Sequence, residues 1–555
     1  MAEILTSWYK ADLMRRFYED TQDNEFYMLI GNDVTDVGGK ITSVNSHYSQ
    51  QRFLNHILFG KKIDKNDIKF MIKYNPWQEG QVFDQYDDKT DLSDKKFYCV
   101  VGPNLNKTGD YRVFKCVDNN DGGAVRQHPE FQPDQTTYPI ATDGYVWEYM
   151  FRITAAEFEA YNANGFVPIM GDFNRDPYNE NANTGYTAVS PTTGSEITQI
   201  LLENPDENFG YPTSRGKTDS ITADGTVTVD PFTNFPLNEI TDYYAGMTLR
   251  IENDAGNTFL YEIVGYEYDE TNNQGNFELR VDNLELSLNG ISDNNTYNVA
   301  PTIKINGDGS GASAYPILKD NIIQYIQMSD NGSGYNTATA EVVDPKFDFD
   351  PEDDNTVDTR AVIRPVLSPK NGHNFDPILE LESRRLLMYA YITEADNGYI
   401  GDTNTFSYVG LVKNPEWANT AYANSGPDVF DNRIAVVTND YTNATVNGLV
   451  LQTNANNDVI FQGKVHEIDS SANTIYISEY VGPYENVPGT SSSFDTDYSL
   501  QNESGTTITI NTPVAQNVTT SPYIQRSGII YFMEDITPLE RTTKSREEFK
   551  LVLEF

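Results

Sequence analysis

The chain has 555 residues, 38% of them hydrophobic and 12% aromatic, led by 36 tyrosines. That length allows about three or four domains with real cores. Its 39 Lys and Arg against 82 Asp and Glu give a formal net charge of -43, which repels phosphate backbones and anionic membrane surfaces, so neither nucleic-acid nor membrane binding is expected.

The acid excess keeps a chain soluble until it meets its partners, or suits a salt-rich setting. The longest apolar run, Leu386 to Ile392, falls far short of the roughly 18 residues of a membrane span. Met1 to Asp20 is charged and amphipathic, so no signal peptide is expected there. Cys99 and Cys116 fall on neighbouring predicted strands and read as buried, reduced residues of a protein assembled in cytoplasm.

In chain order, Ala11, Met14, Phe17 and Tyr18 repeat at helical spacing, with Ser7 placed to cap the start. Glu25 to Ile30 reads as a strand ended at Gly31-Asn32-Asp33. A second helix is predicted over Gln50 to Phe59, with Phe53, Leu54, Ile57 and Leu58 on one face, and a strand over Ile68 to Tyr74. Further strands are predicted near Phe97 to Val101 and Tyr111 to Val117.

In Asp143-Gly-Tyr-Val-Trp-Glu-Tyr-Met-Phe-Arg-Ile153 a turn feeds an aromatic strand. Tyr145, Trp147, Tyr149 and Phe151 alternate with Val146, Glu148, Met150 and Arg152, which places four rings on one sheet face. Thr154-Ala-Ala-Glu157 is a capping box opening a short helix that stops at Asn164-Gly165. Asp176 to Thr193 reads as a polar linker.

From Glu196 to Val343 short strands alternate with turns such as Asn253-Asp-Ala-Gly256 and Asn272-Asn-Gln-Gly275. Ile200 to Tyr211 and Ile326 to Tyr335 echo one another as a strand, a polar turn and Gly-Tyr. The acidic run Asp344 to Asp358 closes this region as a loop. Leu379 to Arg385 reads as a short helix, and Leu386 to Ile392 and Phe406 to Val412 as strands. An Asn- and Thr-rich β insert runs from Arg433 to about Thr512. In the last strand Phe549, Leu551, Leu553 and Phe555 share a face.

Tests for chemistry return little. His47, His56, His128, His373 and His466 are scattered, none within two to five residues of another His or a Cys, so no zinc site is expected. Asp118-Asn-Asn-Asp-Gly-Gly123 has a calcium-loop flavour, but its twelfth position is Pro129 and not Glu, so it reads as a tight turn. Asp350, Glu352, Asp353, Asp354 and Asp358 read as a solvated acidic loop. Gly307-Asp-Gly-Ser-Gly311 and Gly332-Ser-Gly334 read as glycine turns, having neither a phosphate-loop Lys nor a following helix. With 82 acidic residues, some carboxylate pair must stand at hydrolase spacing by chance.

Four stretches, in order, resemble a baseplate wedge subunit of T-even-type contractile-tailed phages, the wedge protein that forms homodimers. They are Arg16-Phe-Tyr18 with Phe26-Tyr-Met-Leu-Ile-Gly31; Phe53 to Trp77; Tyr111 to Cys116 with Asp143-Gly-Tyr-Val-Trp-Glu-Tyr149, the most specific; and Arg526-Ser-Gly-Ile-Ile-Tyr-Phe-Met-Glu534 through Phe549 to Phe555. Phe406 to Pro415 fits more loosely. Together they cover under half of the chain, and the stretches near 190–345 and 426–520 look like insertions.

The resemblance implies a mainly β, multi-domain, sandwich-like architecture with a few short helices and inserted β-modules. It implies a virion structural protein of the tail baseplate, assembled in the host cytoplasm. Its partners would be a second copy of itself and other baseplate wedge proteins. No catalytic, cofactor-binding or metal-ligating residue is implied, and no cofactor. The alternative is a receptor- or glycan-binding tail fibre or spike protein, possibly glycan-hydrolysing. The expected division is 1–88, a first part of a core β domain; 89–190, a second β domain; 191–345, inserted β-modules with Gly-Tyr turns; 346–425, the core continued; 426–520, a second β-rich insert; and 521–555, strands completing the core.

Overall fold

The computed structural model describes residues 6–32, 45–105, 109–120, 122–129, 143–170, 195–205, 208, 211, 213–281, 283–343, 360–369, 372–373, 376–393, 405–418, 420–422, 425–481, 494–540 and 546–555. The linker expected at Asp176 to Thr193 and the acidic run at Asp344 to Asp358 lie outside them. The architecture is mainly β, with antiparallel ladders throughout the named strands. It forms two compact units: residues 1–73, 159–168 and 383–555, and residues 74–158 and 169–382.

The first unit holds a five-stranded sheet in the order Val429–Asp431, Ile57–Lys62, Phe26–Gly31, Thr405–Lys413, Ile529–Glu540. The Phe26–Gly31 strand is buried along its whole length, which is why its sequence is an unbroken apolar run. Tyr27 and Leu29 pack with Phe53, Leu54, Tyr408, Val412 and Phe430, while Ile30 packs with Leu58, Phe59, Ile392 and Phe406. A four-stranded sheet joins Glu547–Glu554, Arg385–Ile392, Ile68–Lys73 and Phe166–Pro168.

Several expected boundaries move. The first helix, Ser7–Asp23, is capped by Thr6, whose hydroxyl accepts from the Tyr9 N–H at 3.3 Å; Ser7 lies inside it. The second helix is His47–Asn55, and Ile57 to Phe59 leave it to pair with Phe26–Gly31. The run Ile57-Leu-Phe is apolar enough for either element, and the open edge of the first strand decides. The helix expected over Leu379 to Arg385 is Pro377–Glu380, because Arg385 already begins a strand paired to Ile68–Lys73 and Glu547–Glu554. On that last strand Phe549, Leu551, Leu553 and Phe555 are only half-buried, as suits the edge of its sheet.

The second unit contains the sheet Tyr98–Val101, Tyr111–Asp118, Val146–Ile153, with Tyr111–Asp118 central. Tyr145 and Trp147 are fully buried, against Phe83, Cys99, Phe114, Cys116 and Val125, and Tyr149 packs beside them. Phe151 departs from the expected face. The register shifts between Val113 and Phe114, so Phe114 stands opposite Tyr149 and Val113 opposite Phe151. Phe114 and Val113 point to opposite sides of their strand, so the bulge carries Phe151 to the other face. The capping box forms as read: Thr154 N–H donates to Glu157 Oε2 at 2.8 Å and Glu157 N–H to Thr154 Oγ1 at 3.2 Å. The helix Ala155–Tyr161 stops before Asn164 and Gly165, both at positive φ.

The Gly-Tyr echo has a common purpose. Tyr211 and Tyr335 both insert into one core with Ile200, Leu318, Ile323 and Ile326. The Tyr211 N–H bonds to the Asn321 carbonyl and the Tyr335 N–H to that of Ser195. The glycine turn wraps Tyr335, and a β-carbon on Gly309 would stand 2.5 Å from its ring. In the same turn Asp308 accepts the N–H groups of Asn336 and Thr337 at 2.8 and 2.9 Å. These hydrogen bonds lower its carboxyl from 3.8 to about 2. A lowered folded value means stability that is present above 3.8 and lost as pH falls through about 2. Asp308→Asn is expected to flatten the acid limb between those values, as read from urea midpoints against pH; parallel limbs would mean the turn forms equally in the unfolded chain.

Two β modules share one plan. Residues 214–300 close a barrel in the order Val227–Pro231, Gln274–Leu279, Thr258–Asp269, Thr248–Glu252, Thr296–Ala300, Ser214–Ile221. In the second module Ile434–Val437, Thr474–Val481, Val459–Asp469, Leu449–Thr453, Leu500–Asn502 and Thr507–Ile508 follow in the same order. The registers agree: Val227 and Tyr266 both stand opposite Phe277, as Ile434 and Val465 both stand opposite Ile477. Asp269 faces Gln274 as Asp469 faces Thr474, and each aspartate accepts two N–H groups of its turn before a left-handed asparagine, Asn273 or Asn473. The modules differ in how they end. Ser214–Ile221 precedes the others and closes the barrel in the first, whereas in the second Thr507–Ile508 and Val518–Thr519 follow the others and flank the two ends of an open seven-stranded sheet.

Candidate functional site

The central strand Tyr111–Asp118 carries one charged residue that its apolar neighbours do not predict. Lys115 alternates with Phe114 and Cys116, and in register it stands opposite Tyr98 on one side and Glu148 on the other. With Phe114 and Cys116 packed into the aromatic core, the pleat sends Lys115 and Glu148 to the opposite face. There they meet the antiparallel pair Ile197–Leu202 and Ile363–Leu367, His373, and Glu380 at the end of the Pro377–Glu380 helix.

Lys115 is completely buried, and Glu148, Glu380, His373, Glu196 and Thr198 are buried around it. Its Nζ lies 3.1 Å from Glu148 Oε2 and contacts Glu380 Oε1 and His373 Nδ1 directly. His373 Nδ1 is 3.1 Å from both Glu148 Oε2 and Glu380 Oε1. On the other ring edge His373 Nε2 is 2.8 Å from Thr198 Oγ1 and 3.9 Å from Glu196 Oε1. The Tyr86 ring covers the cluster, its centroid 4.6 Å from Lys115 Nζ, with the His373 ring edge-on at 5.7 Å.

The two carboxyls are driven apart. Burial raises Glu148, although His373 and Lys115 pull it back. Burial also acts on Glu380, but the Lys115 charge and the His373 hydrogen bond outweigh it and hold that carboxyl low, at about 2. Tyr86 is pushed up by burial and by the nearby carboxylates. Two acids with opposed tendencies beside one amine make an asymmetric proton set, one group fit to hold a proton and one to stay ionised.

Supports fix the cluster from behind. Gln199 Nε2 donates to the Val117 carbonyl at 2.7 Å, tying the strand pair to the central strand. Arg364 grips Asp87 with two hydrogen bonds of 2.9 and 3.1 Å and Glu203 with a third of 2.9 Å. Asp87 is next to Tyr86 in sequence, so this fork steadies the covering ring.

Glu148, His373 and Glu380 have the spread of a metal-ligand set, their donor atoms within 4.8 Å of one another. The Lys115 ammonium already stands among those donors, and its charge repels a second cation at this range. The arrangement fits a side-chain cation better than a metal ion. The spacing rule that set the five histidines aside could not see this grouping, because its members come from three separate segments. A legible signal was the lysine itself, set between Phe114 and Cys116 in the middle of the central strand.

Other sequence candidates fall out as turns. Asp118 Oδ1 accepts from Asn120 N–H at 2.8 Å and Asn119 Oδ1 from Gly122 N–H at 3.1 Å; Asp121 lies outside the described residues. The acidic cluster Asp350, Glu352, Asp353, Asp354 and Asp358 lies outside them as well. Ser310 and Ser333 exchange backbone hydrogen bonds, which fixes both glycine segments as a paired turn. Cys99 and Cys116 are free and buried. No protein-family model matches the chain, and no curated protein matches it.

Proposed function

We propose that this chain is a structural subunit of a phage tail baseplate wedge: a homodimeric connector that joins other wedge subunits and follows the baseplate's change of shape on tail contraction. It acts in the virion and not as an enzyme. The observation that carries this reading is where the resembling stretches lie. Phe26–Gly31 from the first stretch and Ile529–Glu540 from the last both pair with Thr405–Lys413, the looser match, and Ile57–Lys62 from the second pairs with the first. Stretches hundreds of residues apart thus form one sheet, while the unmatched stretches form modules with cores of their own. That is the pattern of an inherited core carrying insertions.

The most specific stretch also supports a scaffold over a sugar platform. Tyr145 and Trp147 are wholly inside, so neither ring has a face for a glycan to stack on. The buried acid cluster is likewise shut away from any polymeric substrate.

Light scattering on the purified chain tests the reading. A mass near twice 62.5 kDa is expected. A mass near three times that value, with glycan binding, would replace the wedge reading by the fibre or spike one, and a monomer at all concentrations would remove the connector.

A further inference from the structure

We propose that Lys115 and Glu380 are joined by an intramolecular isopeptide bond, Nζ to Cδ, formed by condensation inside the folded second unit. This does not depend on the wedge reading. Three observations point to it. The amine and the carboxyl are in direct contact, both shut from water, on segments 265 residues apart in sequence. A second carboxyl, Glu148, stands 3.1 Å from the amine nitrogen. The Tyr86 ring closes over the amine from 4.6 Å, so the water produced has little chance to return as a nucleophile.

The chemistry balances without a co-reactant. The Lys115 ammonium passes one proton through Glu148 to the Glu380 carboxylate, and the neutral amine attacks Cδ of the carboxylic acid so formed. Glu148 then takes a proton from the attacking nitrogen and gives it to the Glu380 hydroxyl, which leaves as water. One N–C bond forms, one C–O bond breaks, and nothing is oxidised or reduced. Glu148 is returned as it began, so it acts as the catalytic proton relay of the reaction.

The driving force is the environment. Two opposite charges held out of water are costly even when paired. The amide replaces them by one neutral group and releases a water to bulk. Contact geometry in a packed core supplies the effective concentration that free amine and carboxylate lack in solution. The product is a covalent tie between the central strand of one sheet and the helix Pro377–Glu380, closing a loop that spans most of the second unit. Such a tie constrains the unfolded chain as a disulfide does, without needing an oxidising compartment.

The test is the mass of the intact, denatured full-length chain. The expected result is a mass lower than the sequence mass by one water. Trypsin should then leave Val113 to Arg126, uncut after Lys115, joined to the peptide ending at Arg384. Lys115→Arg should restore the full sequence mass, and Glu148→Gln should make the water loss slow or absent. A variant that fails to fold would also fail to form the bond, so the mass and the linked peptides of the native chain decide the main point. A native chain at its full sequence mass overturns the proposal. So does a water loss with the two peptides running separately.

Discussion

Replacing Trp147 by alanine is expected to cost about 3 to 5 kcal/mol of folding stability, the range for emptying a large aromatic site in a packed core. The indole is wholly buried among Phe83, Cys99, Phe114, Cys116, Val125 and Tyr145. Phe83 meets it edge-on at 5.3 Å and Tyr145 stacks on it at 5.4 Å. Tyr145 cannot slide into the space, because its hydroxyl donates to the Gly123 carbonyl at 2.6 Å and accepts from the Phe83 N–H at 3.2 Å. The cavity therefore stays open. A urea titration of Trp147→Ala against the parent checks this. A loss under about 1 kcal/mol, accompanied by a change in oligomeric mass, would move the ring from core to interface.

The second large effect is expected at Lys115. Lys115→Met keeps most of the side chain and removes its charge, leaving the buried Glu380 without the amine it contacts. Breaking one partner of a buried pair costs about 3 to 5 kcal/mol. Lys115→Met combined with Glu380→Leu should recover the part of that loss that comes from the stranded carboxylate, because no ionised group is then left unpaired. Chemical unfolding of the single and double variants reads out the difference. Equal losses in both would mean that packing or the covalent tie, and not charge, holds this face of the sheet.

The two like-ordered modules show how local signals work. Asn253 and Asn454 open five-residue loops in which each side chain accepts the N–H groups two and four residues on, and Asn502 does the same. Any one of these reads as an ordinary turn. Only the matching of registers on both sides shows that two such loops occupy the same place in two copies of one plan. The cores kept the positions and changed the residues: Leu249 and Ile251 of the barrel correspond to Val450 and Gln452, and Tyr297 to Leu500. The strand pairing is therefore alike where the residues are not.

What the sequence by itself determined is what short-range chemistry controls. Alternation placed the strands Tyr111–Asp118 and Val146–Ile153, and a capping box placed the start of the Ala155–Tyr161 helix. Composition fixed a mainly β chain with a strongly acidic surface. Tertiary structure alone decided the rest. Whether Ile57 to Phe59 extend a helix or join a sheet depended on an unpaired strand elsewhere. Which face Phe151 takes depended on a bulge, which shifts the period of two by one residue. Lys115, Glu148, His373 and Glu380 came together because sheet register and a short helix bring distant segments to one point. A sequence pattern reads neighbours along the chain, whereas a buried charge is settled by neighbours in space, since only they can replace the water it has lost.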